Sequence, residues 1–325
     1  MIDAAIVGLG RWGQTLVEAV QSRSDRLRLT RAVSRNADRL QDFAGRHRLA
    51  LVGELEPVLA DRTIDAVVLA TPHSLHCEQI IAVAKARKAV FCEKPLTLKK
   101  VDAARAIDAC RKAGVVLGVG TDKRFFPSLR ELTRLVKAGE LGRIVHLEAH
   151  FSNEVAGTFS EWRYSPEESP AGGMTGTGIH MLDALVALAG PVQRVQALLL
   201  SHKPLPDPRD SLSALLEFTS GVSGTLAMVR STPAYFRLHA FARDASAEVL
   251  GRTDLALRRS GEEPRHLSFR EATPVDSVRA NLEAFADAVA GVSPYPIPTS
   301  EMLDTVAAFE AIAEATKSDG RLRDV

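Results

Sequence analysis

Little in this sequence points outward. Lys and Arg number 41 against 40 Asp and Glu, a formal net charge of +1. No charge surplus therefore draws the chain to nucleic acid or to an anionic membrane surface. Cysteine is scarce: Cys77, Cys92 and Cys110 are the only three. They are too few for a disulfide framework and lack metal-type spacing, so the expectation is buried free thiols in a reducing cytoplasm. No apolar run approaches the roughly 20 residues that span a bilayer. The opening MIDAAIVGLG lacks the basic stretch and long apolar core of a secretory signal. Internal repeats and low-complexity tracts are missing too. A cytoplasmic protein without nucleic-acid or membrane partners is expected.

What is present is an ordinary globular composition, 46% hydrophobic and 25% charged, over a length that exceeds one comfortable core. The first third alternates strand and helix. DAAIVGLG, LRLTRAVS, AVVLATP (66–72), AVFCEKP and VVLGVG read as buried strands. Between them RWGQTLVEAVQS, ADRLQDFAGRHR, HSLHCEQIIAVAKAR and LKKVDAARAIDACRKAG carry helical spacing. Such alternation predicts βαβ units: a doubly wound parallel sheet with helices on both faces, ending near residue 120. Downstream, RIVHLEAHFS places Val145, Leu147, Ala149 and Phe151 on one face and His146, Glu148 and His150 on the other. SLSALLEF does the same with Leu212, Ala214, Leu216 and Phe218, and GTLAMV and FRLHAFA look like further strands. That is the period-2 pattern of a sheet covered on one side. HKPLPDPRD (202–210) reads as a Pro-rich surface connection. Two closing helices, near 277–290 and 300–316, carry apolar stripes that serve the core.

Gly8, Gly10 and Gly13 form G-x-G-x-x-G in GLGRWG, after a predicted strand and at the start of a predicted helix. The context predicts a dinucleotide site: the first glycine for the turn, the second for approach of a pyrophosphate, the third for helix–strand packing. Arg11 and Trp12 sit inside the motif, whose helix N-terminus favours anions. The end of the second strand selects the cofactor. An acid there binds the ribose 2′-hydroxyl of NAD; this chain has Ser34-Arg35-Asn36. Arginine neutralises a 2′-phosphate, so NADP is expected over NAD. The plainer alternative makes Arg35 a solvated surface cation. Asp38, the nearest acid, falls in the next helix.

With FCEKPL at 91–96 the pattern becomes recognisable. GLGRWG, ATPHSLH (70–76), CEKPL, GVGTDKRFFPSLRELTRLVKAGELGRI (118–144) and EWRYSPEESPAGGMTGTGIHMLD (161–183) stand in the order found in one family. The chain resembles the glucose-fructose oxidoreductase / inositol dehydrogenase / MocA family. The resemblance implies a Rossmann domain, taken as 1–120. It also implies a substrate-binding and oligomerisation α/β domain, taken as 121–325, with a large, mostly antiparallel open sheet. A homodimer or homotetramer through that sheet is implied as well.

The resemblance also implies site roles. Glu93-Lys94-Pro95 ends a strand where open α/β sheets bind ligands. The family's matching lysine lies between nicotinamide and substrate and moves the proton of the reacting oxygen, and its bond to proline is often cis. The alternative is a surface charge before a turn. Thr71, Pro72 and His76 are expected along the cofactor, with Glu93. Relatives usually carry Asp-x-Gly-x-His-x-x-Asp near 176–183. Here Gly178, His180 and Asp183 match, but Gly176 stands in place of the first aspartate. That glycine leaves room for a bulkier or more anionic substrate. His180, near a helix start where the macrodipole disfavours imidazolium, is expected to exchange the proton with Lys94 as its partner. The alternative is a buried structural histidine. Lys123, Arg124 and Arg163 are candidate anion ligands, or else structural charges. Lys123, Arg163, Thr177, His180 and Asp183 complete the expected substrate site, and no metal is expected.

The expected function is interconversion of alcohol and ketone on a sugar, cyclitol or related polyhydroxylated molecule by hydride transfer. The alternatives are a dihydrodiol dehydrogenase or an imine or tetrapyrrole reductase on the same scaffold, or a non-catalytic NADP-binding sensor.

Overall fold

A computed structural model of the protein describes residues 1–35, 37–153, 160–201, 210–270, 273–318 and 321–325. The proline-rich connection expected at 202–210 lies, up to residue 209, outside them. Contacts divide the chain into two units. The first comprises Met1–Thr97, Val101–Asp122 and Thr273–Thr299; the second comprises Leu98–Lys100, Lys123–Ala272 and Ser300–Val325.

The first unit is built on six strands: β1 (Ile2–Val7), β2 (Leu27–Val33), β3 (Ala50–Val52), β4 (Ala66–Leu69), β5 (Ala89–Cys92) and β6 (Leu117–Val119). They lie in the order β3-β2-β1-β4-β5-β6, and every pairing is parallel. This is the first-to-last order of a doubly wound dinucleotide fold, with its switch point between β1 and β4. β4 and β5 are buried along their whole length, as strands covered on both faces must be. β3 has three residues, too few for a pattern to emerge from the sequence.

Residues 273–299 fall outside the 1–120 span expected for this unit, yet they pack with it. The helix Pro274–Val289 starts with a capping box between Thr273 and Asp276 and a proline in its first turn. Its Phe285 ring meets Phe91 of β5 edge-on, 5.5 Å between centroids. Asn281 Nδ2 and Tyr295 Oη both donate to the Val119 carbonyl, at 2.9 and 3.0 Å. Tyr295 Oη also accepts from the Val119 N–H at 3.2 Å. The sheet edge at β6 is thereby closed by chain more than 150 residues away, satisfying backbone groups an exposed edge would leave open.

Among the described residues the second unit holds nine strands: β7 (Ile144–Ser152), β8 (Val192–Ser201), β9 (Asp210–Phe218), β10 (Ser223–Val229), β11 (Tyr235–Ala242), β12 (Ala245–Leu250), β13 (Asp254–Arg259), β14 (Arg265–Ser268) and β15 (Arg323–Asp324). Their order is β14-β13-β12-β11-β7-β10-β9-β8-β15. One pairing, β7 with β10, is parallel; the rest are antiparallel. Leu147, Ala149, Leu212, Ala214, Leu216 and Phe218 are buried on the face that meets the core, as alternation predicts. The helices Pro127–Lys137, Gly178–Ala189 and Thr299–Ala315 supply the rest of that core. The opposite face is open. Leu198, Leu200 and Leu215 stand on it more than half exposed.

No helix among the described residues is long and apolar enough to cross a membrane. The three cysteines are buried and unbridged; burial pushes the Cys77 thiol up to about 11 and Cys110 up to about 12.

Candidate active site

The glycine motif of the first unit closes the turn from β1 into the helix Arg11–Val20. Gly8 has φ +94°, and a Cβ there would stand 2.5 Å from the Ala70 carbonyl oxygen. A Cβ on Gly13 would overlap the Gly8 carbonyl. These two positions are closed by the protein itself. Gly10 differs: nothing lies within 4 Å of its would-be Cβ, and it is exposed at the helix N-cap with no side-chain cap and no acid in the first turn. Open space beside uncapped N–H groups fits a pyrophosphate. Arg11 is exposed and Trp12 half-buried at the same turn. At the end of β2, Ser34 is half-buried, its N–H donating to Val52 O at 3.1 Å. Arg35 beside it is exposed, and no carboxylate occupies either position. Asn36 lies outside the described residues.

The turn after β4 and the turn after β5 are tied together by His76. Its fully buried ring places Nδ1 2.9 Å from Pro95 O and Nε2 3.1 Å from Thr71 O. Thr71 Oγ1 also bonds Gln79 Oε1 at 2.6 Å, and Pro72 is half-buried beside it. The Lys94–Pro95 peptide is cis. Lys94 is half-buried, and its N–H donates to Glu93 Oε2 at 3.2 Å. Glu93 is buried; a Cβ on Gly120 would lie 2.5 Å from its Oε1. Burial pushes the Glu93 carboxyl up to about 7, against the pull of the Lys94 ammonium and the Trp12 indole and with a push from Asp122. Glu93 is thus a buried carboxyl next to Lys94 in the chain that burial makes hold its proton more tightly than an exposed one.

In the second unit, the stretch 172–183 becomes a short 3-10 turn, Gly172–Thr175, followed by the helix Gly178–Ala189. His180 is buried in the first turn of that helix, its ring 6.5 Å from Phe151. Thr177 is buried, its hydroxyl 3.5 Å from Gly173 O. Asp183 is buried with both oxygens on Arg124: Nε to Oδ2 at 2.6 Å and Nη2 to Oδ1 at 3.1 Å. Arg124 Nη1 donates to Glu301 Oε2 at 2.8 Å. Arg124, a candidate anion ligand by sequence, is therefore committed to two carboxylates, and Asp183 to Arg124. Lys123 lies over the Phe126 ring at 5.1 Å and Arg163 over Trp162 at 4.3 Å.

Sequence reasoning did not find Arg230 or Asp210. A Cβ on Gly172 would overlap the Asp210 carboxylate, and one on Gly176 would stand 2.5 Å from Arg230 Nη1. Gly173 N–H donates to both Asp210 oxygens, at 3.2 and 3.0 Å. The only signal was the glycines themselves, which announce a close approach without saying to what.

Residues 2–121 match the family described as "Oxidoreductase family, NAD-binding Rossmann fold", and residues 129–253 match "GFO/IDH/MocA C-terminal domain". The chain is 30% identical over 234 residues to 2,7-anhydro-N-acetylneuraminate hydratase of Escherichia coli K12, covering 70% of this chain and 61% of that protein. It is 28% identical over 277 residues to D-xylose 1-dehydrogenase (NADP(+)) 2 of Haloferax volcanii, 82% of each chain. The structure of levoglucosan dehydrogenase in complex with NADH and L-sorbose superposes with a TM-score of 0.90 over 100% of this chain and 98% of that one. Its sequence identity is 18%, a likeness of fold. The chain belongs to the glucose-fructose oxidoreductase / inositol dehydrogenase / MocA family.

Proposed function

We propose that the protein is a nicotinamide-dependent oxidoreductase, NADP-preferring, that interconverts an alcohol and a ketone on a sugar or cyclitol. One observation carries the reading. Gly8 and Gly13 are closed by the fold while Gly10 opens on uncapped helix N–H groups, and the same sheet edge ends in Glu93-Lys94-Pro95. When bound, the nicotinamide supplies or accepts hydride. Everything else falls to the chain's own side chains. Hydride leaving a carbinol carbon requires the hydroxyl proton to leave as well. Lys94 Nζ polarises the reacting oxygen and carries that proton, with Glu93 setting its charge balance from behind. His180, in a helix first turn, exchanges the proton on the substrate side, with Thr177 beside it. Asp183 acts through Arg124 as a positioning group. Arg35, with no acid next to it at the end of β2, favours a 2′-phosphate. The NADP-dependent xylose dehydrogenase among the relatives supports both cofactor and substrate class. The exposed leucines of the open sheet face support association of like chains there.

Replacing Lys94 by methionine removes the ammonium and keeps the length of the side chain. Turnover on a panel of sugars and cyclitols, followed by nicotinamide absorbance, should fall by about 10²–10⁴. The NADP dissociation constant measured by calorimetry should stay nearly unchanged. Turnover equal to that of the native protein removes Lys94 from the mechanism.

A further inference from the structure

Two features of His180 favour its neutral form. The ring is buried, and burial disfavours imidazolium. It also stands in the first turn of the helix Gly178–Ala189, at the positive end of the macrodipole, and that turn carries no acidic side chain. Negative charge that would hold a proton on this ring has to come from further away. Asp183 is three residues on, and residues three apart on a helix are neighbours, with Cβ atoms about 5–6 Å apart. Arg124, however, grips both Asp183 oxygens and offsets that charge. The second carboxylate tips the balance. Glu301, in the first turn of the helix Thr299–Ala315, accepts from Arg124 Nη1 at 2.8 Å. One guanidinium thus answers two carboxylates, and the triad keeps one negative charge over. The side chains of Asp183, Arg124 and Glu301 are 2%, 10% and 20% exposed, so solvent screens that charge only in part. Burial draws the Arg124 pKa down, but Asp183 and Glu301 outweigh it and push the group up, which leaves the guanidinium charged throughout. His180 and the triad all belong to the second unit.

We propose that Glu301 is a positioning residue for the proton on His180: by sharing Arg124 it leaves Asp183 with negative charge to spare, and that charge holds a proton on the imidazole. The proposal rests on the reading of His180 as the group that exchanges the substrate proton. Its action is electrostatic and indirect, since Glu301 meets Arg124 and Arg124 meets Asp183. The other elements packed against the helix Gly178–Ala189 bring little charge. β7 presents the Phe151 ring, the helix Pro127–Lys137 buries Leu129, Leu132 and Leu135, and β10 buries Leu226 and Met228. At the turn before the helix, Asp210 meets Gly172 and Arg230 meets Gly176, one charge of each sign. On the Glu301 helix, Asp304 stands one turn on; burial raises its carboxyl, Lys100 opposes this, and Glu301 adds to it. All of these groups remain in place when residue 301 alone is changed, so a substitution there isolates its charge.

The test is a histidine titration by NMR on the full chain, with the His180 signal assigned by its loss in His180→Asn. Glu301→Gln removes the charge and keeps an oxygen that accepts from Arg124. The side chain is one-fifth exposed, so the variant should fold as the native chain does, which thermal unfolding checks. Its His180 midpoint should move down by about half a pH unit or more, the scale of one partly screened charge at roughly 10 Å. Glu301→Asp keeps the charge and should leave the midpoint close to the native one. A midpoint that stays or rises in Glu301→Gln, or that falls equally in both variants, overturns the proposal; the last outcome would make Glu301 a brace whose shape matters and whose charge does not. The pH profile of turnover separates this from the reading beneath it. A lowered midpoint with a turnover limb that follows it upholds both. A lowered midpoint with an unmoved limb, or without turnover on the sugar and cyclitol panel, upholds Glu301 and counts against His180 as the proton-exchanging group. A limb that moves while the midpoint stays overturns the role of Glu301 at His180.

Discussion

Glu93 is the residue at which burial and charge collide most directly. Its carboxyl is raised from 4.5 to about 7, chiefly by burial. Below pH 4.5 the group is protonated in folded and unfolded chain alike, and it contributes no pH dependence. Between about 4.5 and 7 the unfolded chain releases the proton first, so stability falls as pH rises. Above 7 the loss levels off, at about 3 kcal/mol from a shift of this size. Glu93→Gln cannot titrate. The variant's stability in urea relative to the native protein should therefore rise, its unfolding free energy becoming larger by up to that amount between pH 5 and pH 8. Effects of the amide itself are the same at both pH values and cancel. A difference that stays flat across the range would show that the Glu93 charge is already compensated. The residue was legible in the sequence as part of Glu-Lys-Pro. Its shifted titration was not, because that depends on Gly120, Trp12 and Asp122 closing around it.

At the scale of the element, the turn from β1 to the helix Arg11–Val20 separates folding from binding within one motif. Gly13→Ala drives a methyl into the Gly8 carbonyl and should destabilise by about 1–3 kcal/mol, the usual cost of overpacking. Gly10→Ala meets nothing within 4 Å, at a backbone of φ −67° and ψ −178° that alanine accepts. Its unfolding free energy should change by about 1 kcal/mol or less, an N-cap effect. Its NADP affinity should nevertheless fall by about tenfold or more, because the second glycine is the one the pyrophosphate approaches. Thermal unfolding and cofactor titration on the two variants check this. Equal damage to stability from both, with affinity intact in Gly10→Ala, would reduce the motif to a plain turn. The helix Gly178–Ala189 shows a similar division. His180 faces Phe151, while Asp183, about one turn on, is held by Arg124, which Glu301 holds in turn. The candidate site on this helix is thus braced by an ion triad in which Asp183 is buried and Arg124 and Glu301 are partly buried.

At the scale of the whole molecule, the nine-stranded sheet has one face against its helices and one face left over. That open face mixes Leu198, Leu200 and Leu215 with a charged network. In the network Arg237 bonds Glu248 and Glu148 at 2.6 and 2.7 Å, and Arg258 reaches Glu248 at 2.9 Å. Apolar side chains on the same face as a paired charge network are suited to a self-complementary interface, where the charges set register and the leucines give affinity. Leu215→Glu places a like charge in each copy. As the test of the association proposed for this face, the native protein should run as an oligomer and the variant as a monomer, as read by light scattering with size-exclusion chromatography. An unchanged mass would place any interface elsewhere.

Sequence alone determined the features whose physical cause is local. Strand and helix periodicity identified the parallel dinucleotide unit and the one-sided sheet. The spacing of Gly8, Gly10 and Gly13 identified the turn, and Lys94 and His180 were named by motifs a few residues long. Tertiary structure decided what depends on partners far along the chain. The helix at 274–289 returns to close the β6 edge, which periodicity could not show because an amphipathic stripe does not say which core it enters. Arg124 is committed to Asp183 and Glu301, which removes a cation that spacing had left available. And the vacancy at Gly176 is filled by a guanidinium from position 230, since a glycine in sequence marks only the lack of a side chain and never the group that comes to use the space.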